Sequence, residues 1–217
     1  MPAIEIDFEW PVDDAGYEVV TPEGPRPSFV IMGTGSSTLP PQIRRKGRGR
    51  ARRHRPLEIN PVLFRQFAEL GDDPKAFVEF ASGFGLLFHH EDGEGDSVSD
   101  WRDEVKKMKT ACRLWGQHSK TLFSDKYLHQ GLATISAVLR PAPPDGRPVL
   151  KLVPHSLRSA MWLQFAQFVS SDRKLRACDR CGAWFEVGSG GKRVTSRFCS
   201  DRHRDEFHNA EKRGSRK

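Results

Sequence analysis

Residues 177–213, ACDRCGAWFEVGSGGKRVTSRFCSDRHRDEFHNAEKR, decide what the C-terminal part of the chain builds. Cys178 and Cys181 form a C-x2-C pair followed by Gly182, a spacing whose tight turn aims two thiolates at one ion. Glycine tolerates the positive φ such a turn demands. Beyond it, Trp184 to Val187 predicts a short strand, Gly188 to Gly191 a turn, and Val194 to Phe198 a returning strand. Cys199 and His203 stand four apart. If a helix begins near Ser200, both lie on one face a turn apart and complete a tetrahedral set of three thiolates and one imidazole.

Three of the four cysteines fall within this stretch, an odd number that fits a disulfide framework poorly. Redox chemistry at C-x2-C remains an alternative, although the βαβ context of a thioredoxin-like site is absent. One structural Zn2+ held by Cys178, Cys181, Cys199 and His203 is the leading expectation. Four protein ligands close the metal shell, whereas a catalytic zinc keeps a position open for water, which argues against metal-assisted hydrolysis; the chain is not expected to be an enzyme. His208 is the rival fourth ligand, but it sits on another face of the same helix. Phe207 and Ala210 would join His203 on the inward face, and Arg204, His208 and Lys212 would form an outward row flanked by Arg202 and Arg213. With Lys192 and Arg193 from the turn, Arg202, Arg204, Lys212 and Arg213 are candidate phosphate contacts; an ordinary solvated helix face explains the row equally well.

Charge along the 217 residues is segregated. Residues 44–55, RRKGRGRARRHR, carry +8, and the chain from Arg173 onward carries +7. The remainder sums to −8, an acidic body bearing two basic segments, against a net charge of +7 overall. Such asymmetry favours a polyanionic partner, because each phosphate-neutralising cation releases a counterion. The basic stretch can also fold back onto the acidic body or lie solvated. No apolar run approaches the roughly 18 residues of a membrane span. The acidic start MPAIEIDFEWPVDD lacks a secretory signal's charged and apolar regions, and a cytoplasmic location is expected.

Working back toward the N-terminus, Ser156 can cap a helix carrying Leu157, Met161, Phe165 and Phe168. Ala133 to Leu139 and Val149 to Val153 flank a Pro/Gly turn and predict paired strands. Trp101, Val105, Met108, Cys112 and Trp115 recur at spacings of four and three, one apolar stripe of a helix over about 100–117. On that stripe Cys112 is expected to be a packed core thiol rather than a ligand or nucleophile. Pro61 to Leu70 and Pro74 to Phe84 predict two short helices. The expected organisation is a hairpin over 1–20, a disordered Pro/Gly/Arg-rich linker over 21–56, a mainly helical body over 57–172 and a zinc finger with a basic helix over 173–217. The fold class that follows is mainly α with small β elements: a helical body plus a C-terminal treble-clef-like finger.

The finger stretch resembles the bacterial CGNR-type zinc-finger proteins, in which a helical ABATE-like domain precedes a C-terminal finger. The likeness is carried by Arg176-Ala-Cys178, Cys181, Trp184-Phe185, Arg197-Phe-Cys199-Ser200 and Ala210-Glu-Lys-Arg213, with the helix over 156–176 before them. The CGNR tetrapeptide is absent: His203 stands about where that family has its fourth cysteine, and Arg204-Asp205 replaces the asparagine-arginine pair. The resemblance implies a DNA-binding transcription regulator. A protein-interaction adaptor with a purely structural finger is the alternative, and a zinc-finger nuclease a more distant one for want of an acid-base pair near the finger.

Overall fold

The computed structural model describes residues 5–22, 40–47, 49–88, 95–117, 126–142, 146–171, 174–188 and 191–214. Helix α1 (Pro56–Ile59) and helix α2 (Leu63–Ala68) are short, and α3 (Pro74–Phe84) follows a polar break. Asp73 caps α3 by accepting from the Lys75 backbone N–H, and Pro74 at the first turn gives up a donor that would have gone unpaired. Gly85 ends it at φ +94°, packed so closely on Pro11 and Trp10 that a Cβ has no room. Helix α4 (Val98–Gly116) begins at Ser97, whose hydroxyl accepts from Ser99 N–H, and buries Trp101, Val105, Met108 and Cys112. Helix α5 covers Lys126–Leu132. Helix α6 (Leu157–Ser170) opens with a reciprocal Ser156/Ser159 capping box and buries residues on every side, as expected of a helix through the middle of a core.

The core is aromatic. Trp101 sits among Phe67, Phe77 and Phe80 at ring separations of 5.6 to 6.0 Å, while Phe64 meets Phe165 and Phe168 where α2 crosses α6. Each such fully buried ring contributes roughly 1.5–3 kcal/mol from apolar burial. Buried polar groups are placed to serve backbone ends. Gln164 accepts from Phe64 N–H and donates to the Asn60 carbonyl, fixing the start of α2 on α6. Asp96 Oδ2 accepts from Leu87 N–H and from Trp101 Nε1–H, two donors otherwise stranded in the core.

The expected mainly helical class is wrong: the chain is 42% helical and 26% strand, too much strand for a minor element. The error lies in the N-terminal third. Strand β1 (Glu5–Ile6) pairs in parallel with β8 (Arg147–Pro154), whose other neighbour is β7 (Ile135–Ala142), in the order β1-β8-β7. Strand β2 (Trp10–Asp13) pairs with β5 (Ala51–His54), and β3 (Tyr17–Val20) with β4 (Gln42–Arg45), which also pairs with the two-residue β6 (Asp96–Ser97). The hairpin expected within residues 1–20 therefore does not form. Part of the expected linker is also structured, because the arginine-rich residues 42–45 and 51–54 are strands; residues 23–39 and Arg48 lie outside the described residues. The physical reason is backbone pairing with β2 and β3 and the burial of Ile43, Trp10 and Val12, to which exposed ion pairs add little: Arg52 faces Asp14 at 3.9 Å, and Arg55 reaches Glu9 at 3.2 Å and Glu58 at 3.0 Å. This basic stretch folds back onto the acidic body.

Candidate metal centre

Strand β9 (Lys174–Ala177) leads into the C-x2-C turn and β10 (Trp184–Val187) leads out, the two pairing antiparallel from Ala177–Trp184 to Lys174–Val187. Cys178 N–H donates to the Ala183 carbonyl and Gly182 N–H to the Cys178 carbonyl, closing the turn; Gly182 takes φ +72°, as its position requires. After β10 the chain turns through Gly188, Gly191 and Lys192, and Ser196 N–H closes a second turn on Arg193. The returning strand expected over Val194 to Phe198 is therefore absent. Residues 197–199 instead run beside the knuckle, where Asp179 N–H bonds the Arg197 carbonyl and the Asp179 carboxylate takes Arg197 Nε at 2.6 Å.

Helix α7 (Asp201–Gly214) starts where expected. Ser200 Oγ accepts from His203 N–H at 3.2 Å, an N-cap bond that also orients the first turn. The ligand atoms of Cys178, Cys181, Cys199 and His203 all lie within 4.8 Å of one another. Cys181 Sγ is 3.8 Å from Cys199 Sγ, and His203 Nδ1 is 3.9 Å from Cys178 Sγ and 2.9 Å from Cys199 Sγ. A tetrahedral ion with bonds of zinc's length separates two sulfurs by about 3.8 Å and a sulfur from a nitrogen by about 3.6 Å. Two of the three edges agree with that, and the third closes to a hydrogen-bonding contact. The donors can hold one metal ion.

His203, rather than His208, belongs to the cluster. His208 instead meets the rings of Phe198 and Phe207 at 5.9 and 5.8 Å. Of the two residues expected on the inward face with His203, Phe207 is half-buried and packs on Phe198, whereas Ala210 is exposed. Burial pushes the Cys178 thiol up, yet backbone N–H groups at Cys199, Cys181 and Arg180 outweigh it and hold Cys178 down at about 6. Burial and the neighbouring sulfurs push Cys199 up to about 11. Cys178 is thus favoured over Cys199 as thiolate, and an incoming dication would ionise Cys199.

No family model, curated protein or solved structure matches this chain. The likeness to CGNR-type proteins accordingly stands on the residues quoted for it alone.

Around the cluster the candidate cations take varied roles. Arg202 is paired with Glu206 at 2.7 Å, Arg204 with Asp201 at 3.3 Å and Asp205 at 3.2 Å, and Lys192 with Asp201 at 3.9 Å. Arg193 is exposed. Lys212 and Arg213 fall in the last turn of α7, and their side chains lie outside the described residues. A cleft of about 240 Å³ opens beside the start of α7, lined by Lys192, Arg197 and Arg204 with the hydroxyls of Thr195, Ser196 and Ser200, and with Asp201. Arg197, quoted above for the family likeness alone, is not among the phosphate contacts expected from the sequence. Its place two residues before a metal-ligand cysteine is the signal, since a ligand loop must pass the helix start. Cys112 lies outside the cluster, buried on α4, and burial pushes its thiol up to about 11. Among the described residues no helix is long and apolar enough to cross a membrane.

Proposed function

We propose that the chain is a bacterial cytoplasmic zinc protein whose C-terminal finger contacts nucleic acid, DNA in the first instance, in transcriptional regulation. Zinc is the metal that three thiolates and an imidazole in tetrahedral array suit best, and a closed four-ligand shell gives it a structural role. With three thiolates and neutral imidazole the centre carries a net −1, which the positive N-terminal end of α7 offsets.

The nucleic-acid reading is carried by the cleft at the start of α7, where Lys192, Arg197 and Arg204 converge with three hydroxyls on a helix N-terminus. That combination of cations and hydroxyls at the positive end of a helix is what a backbone phosphate requires. The resemblance to CGNR-type regulators points the same way. Arg193, Arg202, Lys212 and Arg213 would extend the contact along the helix. Asp201 competes for Lys192 and Arg204, and Asp179 for Arg197, but exposed ion pairs of this kind are worth about 0–1 kcal/mol and yield to a phosphate.

The adaptor reading keeps one observation in its favour: Lys192, Arg197, Arg202 and Arg204 already have acidic partners within the finger. Titration of the purified protein against duplex DNA, single-stranded DNA and RNA at two salt concentrations separates the two. The proposal expects an affinity that falls steeply with salt, and a log-log slope reduced by about three when Lys192, Arg197 and Arg204 are changed together to glutamine. Undetectable affinity at low salt, or a slope unaffected by the triple change, would leave the adaptor in its place.

A further inference from the structure

A cavity of about 500 Å³ lies where the finger meets the body, between α2, the C-terminal half of α4 and the strands β9 and β10. Phe64, Trp115, Leu175 and Trp184 form its apolar walls, and Cys112 closes part of it. Its three charged residues, Arg65, Lys109 and Arg113, are all cationic; no carboxylate lines it. We infer that this cavity binds a small organic anion, an apolar aromatic or aliphatic body ending in one carboxylate.

The walls are fixed before any ligand arrives. Phe64 is held by Phe165 and Phe168, Trp115 stands edge-on to Phe168 at 4.8 Å, and Trp184 is fastened by Arg65 and Glu69. A preformed site loses less on binding than one that must be ordered. Its volume falls within the roughly 300–1,000 Å³ range of small-molecule sites, and a junction between two units is where such sites concentrate. The charge fits an anion. Arg65 is committed to Glu69 at 3.2 Å, yet its buried Nε makes no hydrogen bond; Lys109 and Arg113 are exposed at the rim, Arg113 with only a 3.5 Å contact to Gln117. The apolar body would lie against Trp115 and Trp184 and the carboxylate would meet Lys109 and Arg113.

The inference does not rest on nucleic-acid binding and is tested apart from it. The purified full-length protein is titrated with 4-phenylbutyrate by calorimetry, and by tryptophan fluorescence excited at a wavelength the phenyl ring does not absorb. Saturable submillimolar binding is expected, with 4-phenylbutan-1-ol, its neutral counterpart, at least about tenfold weaker. Changing Lys109 and Arg113 together to glutamine should weaken the acid about tenfold and leave the alcohol unchanged, and being exposed these positions tolerate exchange. Leu175→Trp, which fills the cavity, should abolish binding by both compounds. Absence of saturable binding up to 10-fold above millimolar concentration, equal affinity for acid and alcohol, or indifference to the Lys109/Arg113 exchange would each overturn the inference.

Discussion

Trp184 Nε1 donates a 2.6 Å hydrogen bond to Glu69 Oε1, tying the strand that leaves the C-x2-C turn to the end of α2. Arg65 completes the joint, its guanidinium 4.2 Å from the centroid of the same indole while it pairs with Glu69. Trp184 thus fastens the finger to the body from two directions, and Leu175 of β9 packs on the same core. Trp184→Ala should cost about 2–3 kcal/mol, the sum of a cation–π contact, a charge-assisted hydrogen bond and partial apolar burial, read as a lower urea midpoint. Trp184→Phe should recover about half. If neither variant moves the midpoint, Trp184 does not join the two units energetically.

The metal centre and its fastening differ sharply in how well the sequence reveals them. Cys178, Cys181, Cys199 and His203 are legible because turn and helix spacing alone bring each pair together. The helix over 98–116 and the β7/β8 pair are legible for the same reason, their patterns being local. The pairing of β1 to β5 is not, because Glu5 pairs with Lys151 and Trp10 with His54, partners that no local pattern names. Ala51–His54 carries no apolar alternation; its place in a sheet comes from backbone pairing with β2, beside which Arg52 faces Asp14. A run of arginines between prolines and glycines has the composition of a solvated linker, and tertiary pairing overrides that here.

Asp96 should be among the costliest single side chains to remove. Asp96→Ala strands Leu87 N–H and Trp101 Nε1–H inside the core, with an expected loss of about 3 kcal/mol. Asp96→Asn, which keeps an acceptor, should lose about half as much. Equilibrium unfolding in urea measures both, and equal losses would mean that volume rather than acceptance is what Asp96 supplies.

Cys112→Ala should cost roughly 1–2 kcal/mol and leave metal content unchanged, as the loss of a small buried group does. Its burial, with the thiol pushed up to about 11, predicts slow modification by thiol reagents in the native protein. Rapid labelling of Cys112 under native conditions, identified by mass spectrometry of the fragments, would contradict that placement.

Glu104 is buried between α4 and α6, where Oε2 lies 2.8 Å from Arg158 Nε and accepts from Trp162 Nε1–H at 3.2 Å, while Oε1 takes Lys107. The Arg158 contact is an ion pair whose N–H points off line. Burial pushes the carboxyl up, but Arg158 and Lys107 outweigh it and hold the group below its ordinary value of 4.5. A depressed folded-state value stabilises above the unfolded value and is lost as pH falls through the folded one. The stability difference between the native protein and Glu104→Gln should thus be constant above about pH 5 and shrink below 4.5. A difference that stays flat down to pH 3 would show that the charge of Glu104 contributes nothing.

The central claim is the metal, and quantitative metal analysis of the purified protein tests it most directly. One zinc per chain is expected, lost in Cys178→Ser and in Cys199→Ser, weakened in His203→Ala and retained in His208→Ala. Protein that carries no zinc and takes none up, or that keeps a full equivalent after Cys199→Ser, would contradict the Cys178, Cys181, Cys199 and His203 centre.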